Sequence, residues 1–184
     1  MKTMFTIPMV VLLLWTSSYA QITDTQPRGV EDKLTVKLLL SKDGVLPGTE
    51  CRAMLIVSID EGWHINSYIP NVEGFIATSV EMERTEGVEL VSMKYPPAFE
   101  QALDFSETPL EVYEGTIKIM LHFKVALDAS PGKHTIPLEL RYQACSNEVC
   151  LAPTAVQFDL PLTVVDKLED VSLINQELFD ENER

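Results

Sequence analysis

Short runs in which apolar and polar residues alternate recur along almost the whole chain. They are KLTVKLLL (33–40), CRAMLIVSI (51–59), WHIN (63–66), IATSVEME (76–83), VELVSMKY (88–95), TIKIMLHFKVAL (116–127), HTIPLELRYQAC (134–145) and AVQFDLPLTVV (155–165). A period of two is the signature of a strand with one face on a core and one in water. The stretches between them, among them SKDGVLPGTE, DEGW, NSYIPNVEG, ERTEG and SPGK, supply the Gly, Pro, Asn and Asp that turns require. Helical periodicity is not evident before the last twenty residues. Seven or eight short strands at this spacing predict an all-β chain folded as an antiparallel β-sandwich of immunoglobulin-like type, although Trp63 and the cysteines lack the Cys…Trp…Cys spacing of antibody domains.

Two segments break the rhythm. YPPAFEQALDFSETPLEVYEG (95–115) joins a Pro-Pro, two phenylalanines and several carboxylates in a loop longer than a hairpin needs. Loops of that length are usually functional or disordered. A lid is the favoured reading, because a solvent-flapping insertion gains nothing by exposing Phe99 and Phe105. After Val165 the chain turns to DKLEDVSLINQELFDENER, whose interspersed Leu and Ile predict a short amphipathic helix within an acidic tail, with no function assigned.

The first twenty residues change the setting. Lys2 precedes an apolar run from Phe5 to Trp15, and Ser18-Tyr19-Ala20 offers the small-x-small pattern of a signal-peptidase site. An apolar core of about eleven residues falls short of the roughly twenty that a membrane span needs, and no cysteine at position 21 invites a lipid. The expected organisation is a signal peptide (1–20), a flexible N-terminal segment (21–31), one sandwich domain (32–165) and the acidic tail (166–184). The mature chain is then periplasmic or secreted, with no membrane span. A formal net charge of −14 repels phosphate backbones and anionic lipid, which disfavours nucleic acid or a membrane surface as partner. Acidity of this size also has a plain reading, solubility.

Three cysteines in an exported chain permit one disulfide and leave one thiol over. Cys145 and Cys150 bracket Ser146-Asn147-Glu148-Val149, a length that fits a four-residue hairpin loop whose flanking residues face each other across the strands. Opposed residues of an antiparallel pair stand close enough for a disulfide. Closing a loop of about six residues restricts the unfolded chain by roughly 2 kcal/mol, the low end of what disulfides contribute. A bond at an exposed hairpin tip is thus poorly placed as a staple and well placed to be opened by an incoming thiolate. Three readings stay open on the residues alone: a structural disulfide, a redox-active pair and a metal site. The metal is weakest, because His64, His122 and His134 lie on different predicted strands. No cofactor is expected. Cys51 heads an apolar strand and reads as a small core residue with an inert thiol; a resolving third thiol is the sharper alternative. Strand alternation places Gln143 on the face of Cys145 and Tyr142 on the other, toward the core. Glu148, inside the turn, would tend to raise a thiol pKa.

YQACSNEVCLAP, together with DEGWHINSYIPN and ETPLEVYEG, resembles the N-terminal periplasmic domain of the thiol:disulfide interchange protein DsbD, from about Asp32 to Val165. The cysteine segment is the specific part; the other two support it. The resemblance implies an immunoglobulin-like sandwich whose one redox-active pair is Cys145 and Cys150, a thiol:disulfide oxidoreductase of the protein-disulfide reductase type that acts with partner proteins. It implies thioredoxin-like or membrane-embedded thiol:disulfide proteins as electron donors and periplasmic disulfide-containing proteins, cytochrome c maturation proteins among them, as clients. It also implies a cap loop, here Phe99, Asp104 and Phe105, that shields the pair until a partner docks, and it brings Trp63, His64 and Tyr68 into the neighbourhood of the pair. Full-length members continue into a multi-span membrane domain and a thioredoxin-like domain, so the expectation here is a stand-alone exported form. The alternative is a non-redox sandwich in which the hairpin bond is only a staple.

Overall fold

The computed structural model describes residues 33–180. The signal-peptide and N-terminal-segment expectations fall on residues 1–31, outside that range.

Eleven strands fill the described chain: β1 (Leu34–Leu40), β2 (Glu50–Ile59), β3 (His64–Asn66), β4 (Ser79–Met82), β5 (Val88–Lys94), β6 (Phe99–Gln101), β7 (Leu110–Glu114), β8 (Thr116–Val125), β9 (Gly132–Tyr142), β10 (Ala144–Cys145) and β11 (Thr154–Val164). A 3-10 turn at Leu168–Asp170 and a short helix α1 (Gln176–Asp180) follow. All strand ladders are antiparallel. They form a four-stranded sheet β1-β2-β8-β5, a three-stranded sheet β11-β9-β4 and a second four-stranded sheet β10-β3-β7-β6. The fold is the immunoglobulin-like β-sandwich that the alternation predicts.

The same alternation builds the core. On β2 the odd positions Cys51, Ala53, Leu55, Val57 and Ile59 face inward, and on β8 Ile117, Ile119, Leu121, Phe123 and Val125 do so. Ile136, Leu138, Leu140 and Tyr142 of β9 and Val156, Phe158, Leu160, Leu162 and Val164 of β11 meet them from the opposite sheet. Each such side chain withdrawn from water contributes about 1.5–3 kcal/mol, which makes this double layer the stabilising centre of the molecule. The third sheet adds only Ile65, Tyr113 and Ala144 to it.

Met54 and Met120 point the other way, out of the first sheet, and they too are buried. The tail covers them. Phe179 of α1 packs on both methionines while the Arg52 guanidinium lies 5.4 Å from its ring centroid. Backbone bonds from Asp43 N to Ser172 O and from Ile174 N to Ser41 O pin the segment to the sheet.

Two expectations are corrected. The 95–115 segment is not one long loop, because β6 and β7 pair within it and leave a tip of only 102–109. Leu110, Val112 and Tyr113 are buried there, a strand that three prolines and the acidic residues obscured. Nor is 134–145 a single strand: it leaves the ladder at Gln143, so that β9 pairs with β11 and β4 whereas β10 pairs with β3 in another sheet.

Candidate functional site: a capped disulfide at a sheet edge

The change of sheet at Gln143 makes the cysteine hairpin. Two residues separate Tyr142 from Cys145, whereas three separate Cys150 from Thr154, so the returning strand carries one extra residue at Leu151-Ala152-Pro153. Pro153 has no N–H to offer a ladder, which suits it to such a break. The side chain of Gln143 replaces the missing ladder bonds. Its Nε2 donates to Leu151 O at 3.1 Å, and its Oε1 accepts from Ile76 N at 3.2 Å and from Asn66 Nδ2 at 3.3 Å. Asn66 Nδ2 also donates to Ile76 O at 2.9 Å, and Thr78 Oγ1 to Asn66 O at 2.6 Å. This amide pair therefore fastens the cysteine hairpin to β3 and to the loop after it. Gln143 was expected only to share a face with Cys145; Asn66 was missed, and the one signal for it is the block DEGWHINSYIPN.

Beyond the break, Leu151 N donates to Ala144 O at 2.8 Å, Ser146 N to Val149 O at 2.8 Å, and Cys145 and Cys150 face each other with Cα atoms 3.9 Å apart, joined by a disulfide. The turn between them is held by Ser146 Oγ, which accepts from Glu148 N and Val149 N, each at 3.2 Å. Glu148 and Val149 are exposed. The two sulfur-bearing residues differ sharply. Cys145 is fully buried (0%), and Cys150 is partly exposed, so the pair is not the open hairpin tip that the sequence suggests.

Cys145 stands on the face of the third sheet opposite the main core. Ala144, Ile65 and Tyr113 stand in one row across β10, β3 and β7 and point into the core, so Cys145, His64 and Glu114, one position along on each strand, point outward. Over that outer face the tip of the β6–β7 hairpin folds down. Leu103 is buried with Leu110 and Val112 against Val72 and Phe75, a small apolar cluster separate from the main one. Asp104 N donates to Asn147 O at 3.1 Å, a direct bond from the tip to the turn between the cysteines. Phe105 follows at once, half exposed, its ring 6.4 Å from that of Phe75.

The remaining expected residues are dispersed. Phe99 stands on β6, the far edge of the sheet, three strand spacings or about 14 Å from β10. Tyr68 stacks on Tyr95 with ring centroids 4.7 Å apart. Trp63 closes the turn from Asp60, packs against the main core and lies under Lys33 Nζ at 5.0 Å. Gly62, at φ 79°, gives that turn its left-handed position and delivers His64 into β3. His64 alone of the three reaches the pair: it is the ladder partner of Cys145 and is 3% exposed. Burial pushes its imidazole pKa below the ordinary 6.5, and the Glu114 carboxylate, opposite on β7, partly opposes that.

Cys51 is buried on β2 in the main core, opposite Phe123, and desolvation drives its thiol up to about 11 against a smaller lowering by Lys42. It belongs to a different sheet from the pair. Among the described residues no group of three or more His, Cys, Asp or Glu is arranged to hold a metal ion.

Residues 36–162 fit the family model of the thiol:disulfide interchange protein DsbD, N-terminal. The chain belongs to the DsbD N-terminal family. Among solved structures, the N-terminal periplasmic domain of ScsB from Proteus mirabilis superposes with a TM-score of 0.57 at 16% identity over 88% of this chain. The chain spans 56% of that structure's length. The DsbD N-terminal domain of Neisseria meningitidis in its reduced form gives a TM-score of 0.42 at 18% identity, covering 70% of this chain and 85% of that one. No curated protein matches in sequence. In this DsbD N-terminal domain the described residues include no helix long and apolar enough to cross a membrane.

Proposed function

We propose that this chain is an exported thiol:disulfide exchange protein that passes electron pairs through a reversible Cys145–Cys150 bond. The observation that carries the reading is the placement of the bond: it closes a six-residue loop outside the main core, beneath a hairpin tip that a small apolar cluster and one backbone bond hold down. The sandwich does not depend on it, since the chain-entropy gain is only about 2 kcal/mol.

A partner thiolate attacks Sγ of Cys150, the partly exposed residue of the pair. A partner–Cys150 disulfide forms, the Cys145–Cys150 bond breaks, and its electron pair leaves on Cys145 as thiolate. Attack of a second partner thiol on that mixed disulfide frees Cys150 and leaves the protein reduced. The reverse sequence reduces a client. Asp104 and Phe105, on the tip, are the cap residues of this scheme, and Phe99 is left to the edge of its sheet. Donors are thioredoxin-like or membrane-embedded thiol:disulfide proteins, and clients are disulfide-containing proteins in the periplasm, cytochrome c maturation proteins among them.

Equilibration against a glutathione or dithiothreitol series, read by alkylation and mass spectrometry, tests this. A potential well above about −300 mV supports exchange; one far below it, with no reaction toward reduced thioredoxin, leaves only a structural staple. The full burial of Cys145 is what speaks for that second reading. A Cys145→Ser variant retained in its own compartment should hold a mixed disulfide at Cys150, and the trapped protein identifies donor or client.

A further inference from the structure

His64 is the buried titratable side chain on the strand paired with Cys145, and the exchange scheme leaves it unused. Directly opposed residues of an antiparallel ladder raise their side chains from the same face with Cβ atoms about 4.5–5.5 Å apart. His64 stands so against Cys145, and Glu114 so against His64, which makes a row Cys150–Cys145–His64–Glu114 across the edge of the sheet. The imidazole is nearly all buried, and its Nε2 is a buried polar atom with no hydrogen-bond partner among the described residues. An orphaned nitrogen in such a place is costly unless it serves something.

Resting on the exchange reading, we infer that His64 is the proton acceptor and donor for Cys145. In the oxidising direction Cys150 carries the mixed disulfide and Cys145 must attack it from a buried site, as thiolate. His64 takes the Cys145 proton; the Cys145 sulfur bonds to Cys150; the partner leaves as thiolate with the electron pair of the broken bond. The imidazolium left behind is countered by Glu114. In the other direction Cys145 departs as thiolate and receives the proton from His64. Cys145 is the only titratable group that faces the ring from β10, and only in the reduced state. Glu114 faces it from β7; Asp104 on the cap tip, Glu148 in the cysteine turn, and Asp60 and Glu61 in its own turn are exposed, and of these carboxylates Glu114 acts on the ring.

The experiment follows the resolution of a glutathione adduct. The reduced full chain is mixed with oxidised glutathione, quenched in acid at intervals, and the Cys150 adduct is followed by mass spectrometry as it forms and as Cys145 displaces it. In the wild type the displacement rate should rise with pH through a midpoint below 6.5 and then level off. In His64→Gln it should rise only with ionisation of the thiol itself, at higher pH than in the wild type, and at pH 7 it should be slower by about 100-fold, with adduct formation unchanged. An equal midpoint and plateau in a folded variant overturns the inference. Glu114→Gln, at an exposed position, decides independently of whether the first variant folds: its midpoint should move to lower pH, and an unmoved midpoint overturns the inference. A wild type that forms no adduct sinks the exchange reading itself, whereas adducts that resolve alike in wild type and variant sink only His64.

Discussion

Truncating Leu103 to alanine should open the cap without unfolding the protein. Leu103 is 5% exposed and packs in the small cluster of Leu110, Val112, Val72 and Phe75, not in the main core. Leu→Ala substitutions cost about 2–5 kcal/mol, and the low end applies where the site is small and its neighbours can settle into the space. The interactions lost belong to the closed tip, so about 2 kcal/mol is withdrawn from the closed state and none from the open one. At about 1.4 kcal/mol per tenfold, the open population rises roughly 30-fold. If partner thiolates reach the pair only through the open state, reduction by glutathione accelerates by the same factor. Stopped-flow reduction, monitored by tryptophan fluorescence or quenched alkylation, measures it; thermal unfolding in parallel should show a folded protein that has lost no more than the same ~2 kcal/mol. An unchanged reduction rate in the folded variant would refute the account, because the tip would then gate nothing.

Other outcomes follow from the same geometry. Gln143→Ala leaves Leu151 O and Ile76 N without their side-chain partner, and chemical denaturation should register a loss of about 1–3 kcal/mol. Phe179→Ala should cost about 3 kcal/mol in thermal unfolding yet leave disulfide exchange intact, since the ring covers Met54 and Met120 on the sheet that does not carry the pair. In the reduced native protein at pH 8, iodoacetamide should label the partly exposed Cys150 first and spare Cys51, whose buried thiol lies near 11, until denaturant is added. The lowered pKa of His64 means the unfolded chain takes up its proton first, so this residue's share of stability is present above pH 6.5 and declines as pH falls from there toward the native value. Urea midpoints between pH 7 and pH 5 should therefore drop less in His64→Gln than in wild type.

Much of this molecule is local, and the local part was legible. Alternation along 51–59, 116–127 and 155–165 dictates strands with one face inward, because the side-chain period of a strand is two whatever the strand pairs with. Turn chemistry sets where they end, and the spacing of Cys145 and Cys150 about a four-residue turn permits their bond. What the chain alone could not show depends on pairing between distant segments. The brief strands β6 and β7 have too few residues to display a period, and they exist because β3 offers β7 a ladder. The departure of 134–145 at Gln143 follows from a competition between two sheets for one strand. The juxtaposition of His64 with Cys145, eighty-one positions apart, is a matter of register, and so is the burial of Cys145 beside a partly exposed Cys150. Sequence determined which residues could do the chemistry; the meeting of strand edges, set by long-range hydrogen bonding and burial, decided which of them share a face.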